Sequence, residues 1–288
     1  MLCFSGRCPE LLLSGRCPGA LFQGRWPFCR EWLSDHDFLF CSDNENTNMK
    51  NLFIYVEGGR FHKFSHDDEK QKLFFLKRIV AGFYISKFPV TQRLYLDIMG
   101  NNPSNHIDMD APVEMVTWLE AITFCNQLSL YDKLTPCYST LASKVQFNLN
   151  SNGYRLPTEM EWEFAAKGGV NSNGFLYSGS NVIDEVAWYK NNSHGSSQPV
   201  GQKKPNELGV YDMSGNVWEW CWDTYFEKSN ETRNEISSPT SGITKVYRGG
   251  SYLDFDYACT VTTRGHRPPN IKQSDIGFRI ARSASNPK

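Results

Sequence analysis

The 288-residue sequence has no run approaching the roughly 18 consecutive apolar residues of a membrane span. It has no excess charge of either sign: Lys and Arg number 30 against 31 for Asp and Glu. That balance argues against a general nucleic-acid binder, which would concentrate positive charge in a stripe. None of the nine cysteines forms a Cys-x-x-Cys pair, so a zinc site has little support. No phosphate-cradling glycine loop, Ser/His/Asp arrangement or paired general acid and base stands out. Leu11 to Leu13 are too few for a signal-peptide core, and Arg16 stands where a lipoprotein cleavage site wants a small residue. The expectation is a cytoplasmic protein with free thiols. Display at a surface would require a different N-terminus.

Aromatic residues, by contrast, are plentiful at 14%. Their densest run is Gly209 to Asp223, where Trp218, Trp220 and Trp222 occupy every second position. In a strand all three rings share one face, with Val217, Glu219, Cys221 and Asp223 on the other. Upstream, Asp212, Ser214, Gly215 and Asn216 form a turn-type cluster. Such a turn could bring the Asp212 and Glu219 carboxylates to one hard cation, with turn carbonyls completing its oxygen shell. The simpler account has Asp212 capping the turn and Glu219 pairing with an arginine such as Arg248.

The first 48 residues read poorly as folded protein. Ser5-Gly6-Arg7-Cys8-Pro9 recurs nine residues later as Ser14 to Pro18, and again in degraded form as Gln23 to Pro27. Three copies of so short a unit do not make a solenoid. Residues 1–48 are expected to be a disordered or mis-translated segment, with the domain spanning 49–288.

Within that domain, Leu52 to Glu57 reads as an opening strand and Leu73 to Val90 as one or two more. His66 to Lys72 reads as a solvated charged loop. Thr91 should cap a short helix that stops at Gly100. Thr117 with Glu120, and Thr158 with Glu161, are capping boxes opening two further helices. Glu159, Glu161 and Glu163 are expected to answer the positive end of the last helix. Tyr131 to Asn152 is irregular apart from a strand expected near Val145 to Leu149. Asn171 to Asn206 is loop-rich and leaves His194 exposed, and Glu227 to Ser241 is a long polar insertion.

Four blocks carry a resemblance: Gly209 to Asp223; Tyr154 to Glu159 running on to Glu161-Trp162-Glu163; Arg248-Gly249-Gly250-Ser251-Tyr252; and Gly277-Phe278-Arg279. In this order they resemble the formylglycine-generating enzyme (sulfatase-modifying factor) family, over about Leu52 to Arg282. The resemblance implies an α+β domain with a C-type lectin-like fold: twisted antiparallel strands, two or three helices and much ordered loop. It also implies calcium on Asp212, the carbonyls of Gly215 and Val217, and Glu219.

Enzymes of that family use a copper-binding cysteine pair just after the Gly-Gly-Ser-Tyr motif. Here the second cysteine is present as Cys259, but Asp254 stands at the first. A hard carboxylate replaces thiolate poorly as a copper ligand, so copper oxidase chemistry is not expected. Cys221 could lie near Cys259, although two buried structural thiols are the plainer account.

In place of that pair stands a display of Tyr252, Leu253, Asp254, Phe255, Asp256 and Tyr257. Downstream lie Thr263, Gly265, His266, Arg267, Asn270, Ile271, Gln273 and Asp275. Neither set follows a strand or helix period throughout, though Ala258 to Thr262 between them is more regular. Aromatics and arginine anchor interfaces, and tyrosine among small polar residues is typical of antibody-like paratopes. The arrangement is also similar to variable proteins of diversity-generating retroelements, whose adenine-directed changes typically act on asparagine codons. Those changes cannot yield Trp, Met, Glu, Lys or Gln, and Tyr252 to Tyr257 contains none of the five; Lys272 and Gln273 would be fixed positions or exceptions. The expected function is non-catalytic recognition of a macromolecule, most simply a protein. The alternative is a copper-dependent oxidoreductase acting on a protein cysteine through Cys259.

Overall fold

In the computed structural model, residues 51–67, 72–141, 144–226 and 244–284 are described, all within the compact unit Asp43–Lys288. The N-terminal tract 1–48 and the insertion 227–241 lie outside the described residues.

Strand β1 (Phe53–Val56) opens the domain, followed by the hairpin of β2 (Gly59–Asp67) and β3 (Lys72–Val80), then β4 (Phe83–Ser86). Helices α1 (Gln92–Met99) and α2 (Trp118–Tyr131) come next, then the hairpin of β5 (Tyr138–Leu141) and β6 (Lys144–Phe147). After β7 (Tyr154–Arg155) come α3 (Glu159–Ala166) and the single turn α4 (Ile183–Val186). The C-terminal third adds β8 (Trp218–Thr224), β9 (Lys245–Arg248), β10 (Arg264–Arg267), β11 (Ile276–Gly277) and β12 (Ala281–Ser283). Two four-stranded sheets result, ordered β1-β4-β12-β7 and β10-β9-β8-β11. The last strand thus inserts between elements from the first half, closing the domain on itself.

Local signals account for the helices. Thr91 caps α1 through the Leu94 N–H, and Gly100 ends it in the left-handed region at φ 74°. Both capping boxes are present: Thr117 with Glu120 and Thr158 with Glu161 each satisfy two orphan donors. The β8 alternation also holds, but neither face meets solvent. Trp218, Trp220 and Trp222 enter a core with Trp118, Tyr138, Tyr247 and Phe278. Cys221, on the opposite face, enters a second core with Trp162, Phe83 and Val246. A strand buried on both sides is the middle layer of the domain, and its polar groups need internal partners.

Those partners correct several expectations. Glu219, fully buried, pairs not with Arg248 but with Arg279: Nε lies 2.6 Å from Oε2 and Nη2 lies 2.8 Å from Oε1. The Trp162 indole N–H donates to the same Oε2 at 2.6 Å. Arg248, also fully buried, pairs with Glu163 at 2.5 Å. Glu161 binds Arg155 through two 2.7 Å bonds, and Glu159 binds Arg264. The three glutamates therefore hold arginines from other segments, where the sequence suggested only a helix-end role. Of the stretch 66–72 expected as a loop, His66, Asp67 and Lys72 belong to β2 and β3, and residues 68–71 lie outside the described residues. The region 131–152 contains a full hairpin, β5 with β6. Ala258 to Thr262, expected to be more regular than its flanks, is turn and bend following a 3-10 turn at Asp256–Ala258.

Arg279→Met leaves Glu219 buried and unpaired, which should cost roughly 3–5 kcal/mol. Arg93→Ala, which removes the exposed Arg93–Asp110 pair, should cost under about 1 kcal/mol. Urea unfolding of the two variants checks the contrast; equal losses would contradict it.

Candidate functional site

The loop Ser251 to Cys259 leaves the second sheet after β9 and is fixed at its base. Tyr252 N–H donates to the Asn216 carbonyl at 2.8 Å, and the Ser193 hydroxyl donates to the Tyr252 carbonyl at 2.9 Å. Lys190 N–H donates to the Asp254 carbonyl, and the Lys190 ammonium lies 4.3 Å from the Phe255 ring centroid. The Thr263 hydroxyl bonds the Tyr257 carbonyl and the Thr260 hydroxyl.

On this frame the predicted residues divide. Leu253, Phe255 and Tyr257 project outward with 47%, 44% and 73% of their surface exposed. The rings of Phe255 and Tyr257 stack at 6.2 Å. Asp256 is also exposed. Tyr252, expected on the surface, is buried, with its hydroxyl donating to the Ser274 carbonyl at 3.2 Å. It is a post supporting the loop and not a contact residue.

In the second segment, His266 and Arg267 lie exposed on β10, at the end of its sheet. His266 stacks on Tyr225 at 3.9 Å, and Arg267 bonds Gln273 at 3.2 Å. Asn270 and Ile271 are exposed; Thr263, Gln273 and Asp275 are half-buried. Gly265 is structural, because a Cβ there would fall 1.9 Å from the Tyr247 ring. Lys190 and Ser193 were not legible as site residues, since both lie in a loop of small polar residues without a periodic pattern. His194 is exposed, as expected.

Below the loop, Ser251 joins the two segments. Its Oγ lies 2.6 Å from Asp254 Oδ2 and 3.2 Å from Asp275 Oδ2, and it accepts the Leu253 N–H. A hydroxyl has one proton and two lone pairs. That proton can serve only one carboxylate at a time, so Asp254 and Asp275 compete for it unless one of them carries a proton of its own. Burial raises the Asp275 pKa, with Asp254 adding to it, against the lowering effect of the Ser251 hydrogen bond and the weaker pull of Arg267. Behind it Glu114 is buried and also raised, mainly by burial; Oε1 accepts the Asn105 and His106 N–H groups, while Oε2 has no hydrogen-bond partner among the described residues.

The sulfur chemistry is quiet. Cys259 is fully buried beside Tyr177, Val186 and Tyr189, and burial with Asp254 and Asp256 nearby pushes its thiol up to about 12. Cys221 belongs to a different core cluster, and both are buried free thiols, the plainer of the two accounts. Cys259 is therefore held as a thiol, the poorly nucleophilic and poorly ligating form.

At the turn before β8, Asp212 and Asn216 adopt left-handed φ values of 56° and 63°, with Gly215 at 76° between them. Asp212 Oδ2 accepts the Gly201 N–H at 2.7 Å, whereas its buried Oδ1 has no hydrogen-bond partner among the described residues. Burial pushes the Asp212 pKa up to about 6. That orphaned oxygen suits a cation. Glu219 offers less, because Arg279 and Trp162 already engage both its oxygens, leaving lone-pair capacity on Oε1.

A carboxyl with a raised folded-state pKa keeps a proton that the unfolded chain has lost. The stability linked to Asp275 should therefore be present below the ordinary aspartate range near ~3.9. It should be lost as pH rises through the raised value. Asp275→Asn, whose amide can donate to Ser251 permanently, should remove this dependence. Unfolding free energies measured from pH 4 to 7 should show the variant gaining on wild type as pH rises; a constant difference would contradict the shared-proton arrangement.

The sulfatase-modifying factor enzyme 1-like domain matches residues 41–284. Among relatives, a Paenibacillus barcinonensis protein named chaperone protein LppX is 37% identical over 84% of this chain and 93% of its own length. The formylglycine-generating enzyme of Streptomyces coelicolor is 35% identical over 46% of this chain and 48% of its own. Among solved structures, Treponema denticola variable protein 1 superposes with a TM-score of 0.69 at 32% identity, covering 81% of this chain and 95% of that one. The fold is thus the C-type lectin-like one of these relatives, and the chain belongs to the sulfatase-modifying factor enzyme 1-like domain family.

Proposed function

We propose that the chain is a non-catalytic binding module that recognises a protein through the face formed by Leu253, Phe255, Asp256 and Tyr257 with His266, Arg267, Asn270 and Ile271. The carrying observation is the outward projection of Leu253, Phe255 and Tyr257 from a loop hydrogen-bonded at its base. Exposed aromatics on a fixed backbone bind at low entropic cost, because little must be ordered on contact. Two relatives add support: one is named a chaperone and the other a variable protein, each matching over four-fifths of this chain. Oxidase chemistry is disfavoured by Asp254 at the first thiol position and by the protonated Cys259.

Diversification by a retroelement is part of this proposal. The exposed members of Leu253 to Tyr257 and His266 to Ile271 can change without disturbing the core, whereas Tyr252 and Gly265 cannot. Sequences from related strains should vary at the first group and keep the second. Variation concentrated in the core strands, or none at all, would contradict it.

Calcium at Asp212, the Gly215 and Val217 carbonyls and Glu219 is the second part. The ion would satisfy Asp212 Oδ1 and stiffen the turn that carries Asn216, on which Tyr252 rests. Calcium should raise the melting temperature relative to chelator. Asp212→Asn should abolish that gain and, in chelator, be more stable than wild type, since it removes an orphaned carboxylate. A calcium response unchanged in the variant would move the ion elsewhere.

A photo-crosslinking residue at position 257 should capture a discrete protein from the native cell, whereas one at the exposed Ile107 should not. Phe255→Ala with Tyr257→Ala should weaken binding of the purified captured protein more than tenfold, as for paired interface anchors worth ~2 kcal/mol together. Oxygen consumption with copper and a cysteine peptide, lost on Cys259→Ser, would overturn the assignment.

A further inference from the structure

A cavity of about 550 Å³ lies between α1, the end of α2 and the first sheet, lined by none of the residues of the binding face. Its floor includes Val90, Leu128 and Ile280, all at most 2% exposed. Leu52, Phe53, Leu94 and Ile98 form apolar walls, and the exposed members of the lining are Arg93, Asp97 and Tyr131. The volume lies in the range of small-molecule sites, which combine apolar walls with a few polar groups that fix orientation.

The polar groups are unequal. Arg93 and Asp97 stand four residues apart on α1, within reach of one another, but with the cation N-terminal to the acid, the weaker orientation. The Arg93 guanidinium instead bonds Asp110 at 3.2 Å. Asp97 has no ion-pair or hydrogen-bond partner among the described residues. The lining therefore offers one neutralised cation and one uncompensated carboxylate beside an apolar hollow.

We propose that this cavity binds a small amphiphilic amine, its apolar body against Leu94, Ile98 and Ile280 and its ammonium on Asp97. An anionic ligand would meet Asp97 with like charge and would have to compete with Asp110 for Arg93. A neutral apolar ligand would leave Asp97 without a counter-charge.

Fluorescence titration of the full chain with monodansylcadaverine, cationic at neutral pH, tests this directly. The cation should bind saturably, and tighter than neutral dansylamide or anionic anilinonaphthalene sulfonate. Asp97→Asn, an exposed change that leaves the core untouched, should weaken the cation about fivefold, the upper range for a partly exposed pair. It should leave dansylamide within about twofold, since that probe brings no charge to lose. Leu94→Trp, filling the hollow, should weaken both. Failure of the cation to saturate by millimolar concentration, equal affinity for the three probes, or indifference to Asp97→Asn would each overturn the proposal. None of these outcomes bears on the protein-binding face, which shares no residue with the cavity.

Discussion

The structure depends on one buried carboxylate. Glu219, the second residue of β8, has no access to water, and an ion there is tolerable only if its charge and lone pairs are met. Arg279 meets the charge and spends its remaining donors on the carbonyls of Ser86 and Tyr211. Trp162 meets the other lone pair from α3. Four segments far apart in sequence thus share one hydrogen-bonded centre: the end of β4, the turn before β8, helix α3, and the run into β12. Such an arrangement need not add net stability over an apolar core of the same volume, but it penalises every register that leaves Glu219 unpaired. A slip of one residue on β8 would also exchange its tryptophan and Glu219 faces.

Rigidity below permits freedom above. Arg248 is surrounded by the carbonyls of Val261, Thr262 and Thr263 and by Glu163, so the return of the chain from the Ser251 to Cys259 loop is held from beneath. The loop itself rests on Asn216 and Ser193 through main-chain atoms at Tyr252. Main-chain anchoring does not depend on side-chain identity. Leu253, Phe255 and Tyr257 can therefore change while the loop keeps its path, which is the property a variable recognition surface requires.

Parts of this were legible in sequence, and the division has a physical cause. Thr117, Glu120, Thr158 and Glu161 act on donors within one helical turn, so their pattern is complete in four residues and the helix starts were readable. The tryptophan alternation was readable for the same reason. Which arginine meets which glutamate was not: Arg279 lies 60 residues from Glu219, and Arg264 lies 105 from Glu159. Nothing in the local sequence marks Arg279, and not Arg248, as the partner of Glu219. Tyr252 was misplaced because its neighbours at 253, 255 and 257 do face outward, and a 3-10 turn at Asp256–Ala258 breaks the alternation that would have separated them. The partition of α1's charges was hidden too, since Asp110 competes for Arg93 from a loop without periodic signal.

The position of Asp254 carries the argument about chemistry furthest. A thiolate pair works by holding a soft metal between two polarisable anions, and each thiol must give up its proton as the metal binds. Asp254 instead takes the Ser251 N–H and hydroxyl, closing a turn at the start of the loop. Its negative charge then opposes ionisation of Cys259, the thiol that remains. A carboxylate at this position therefore has two effects: it is a hard ligand where the family resemblance places a soft one, and it raises the pKa of Cys259. Burial against Tyr177 and Tyr189 acts in the same direction. What the loop turns outward in this structure is apolar surface, Leu253, Phe255 and Tyr257, on a backbone held in place at Tyr252.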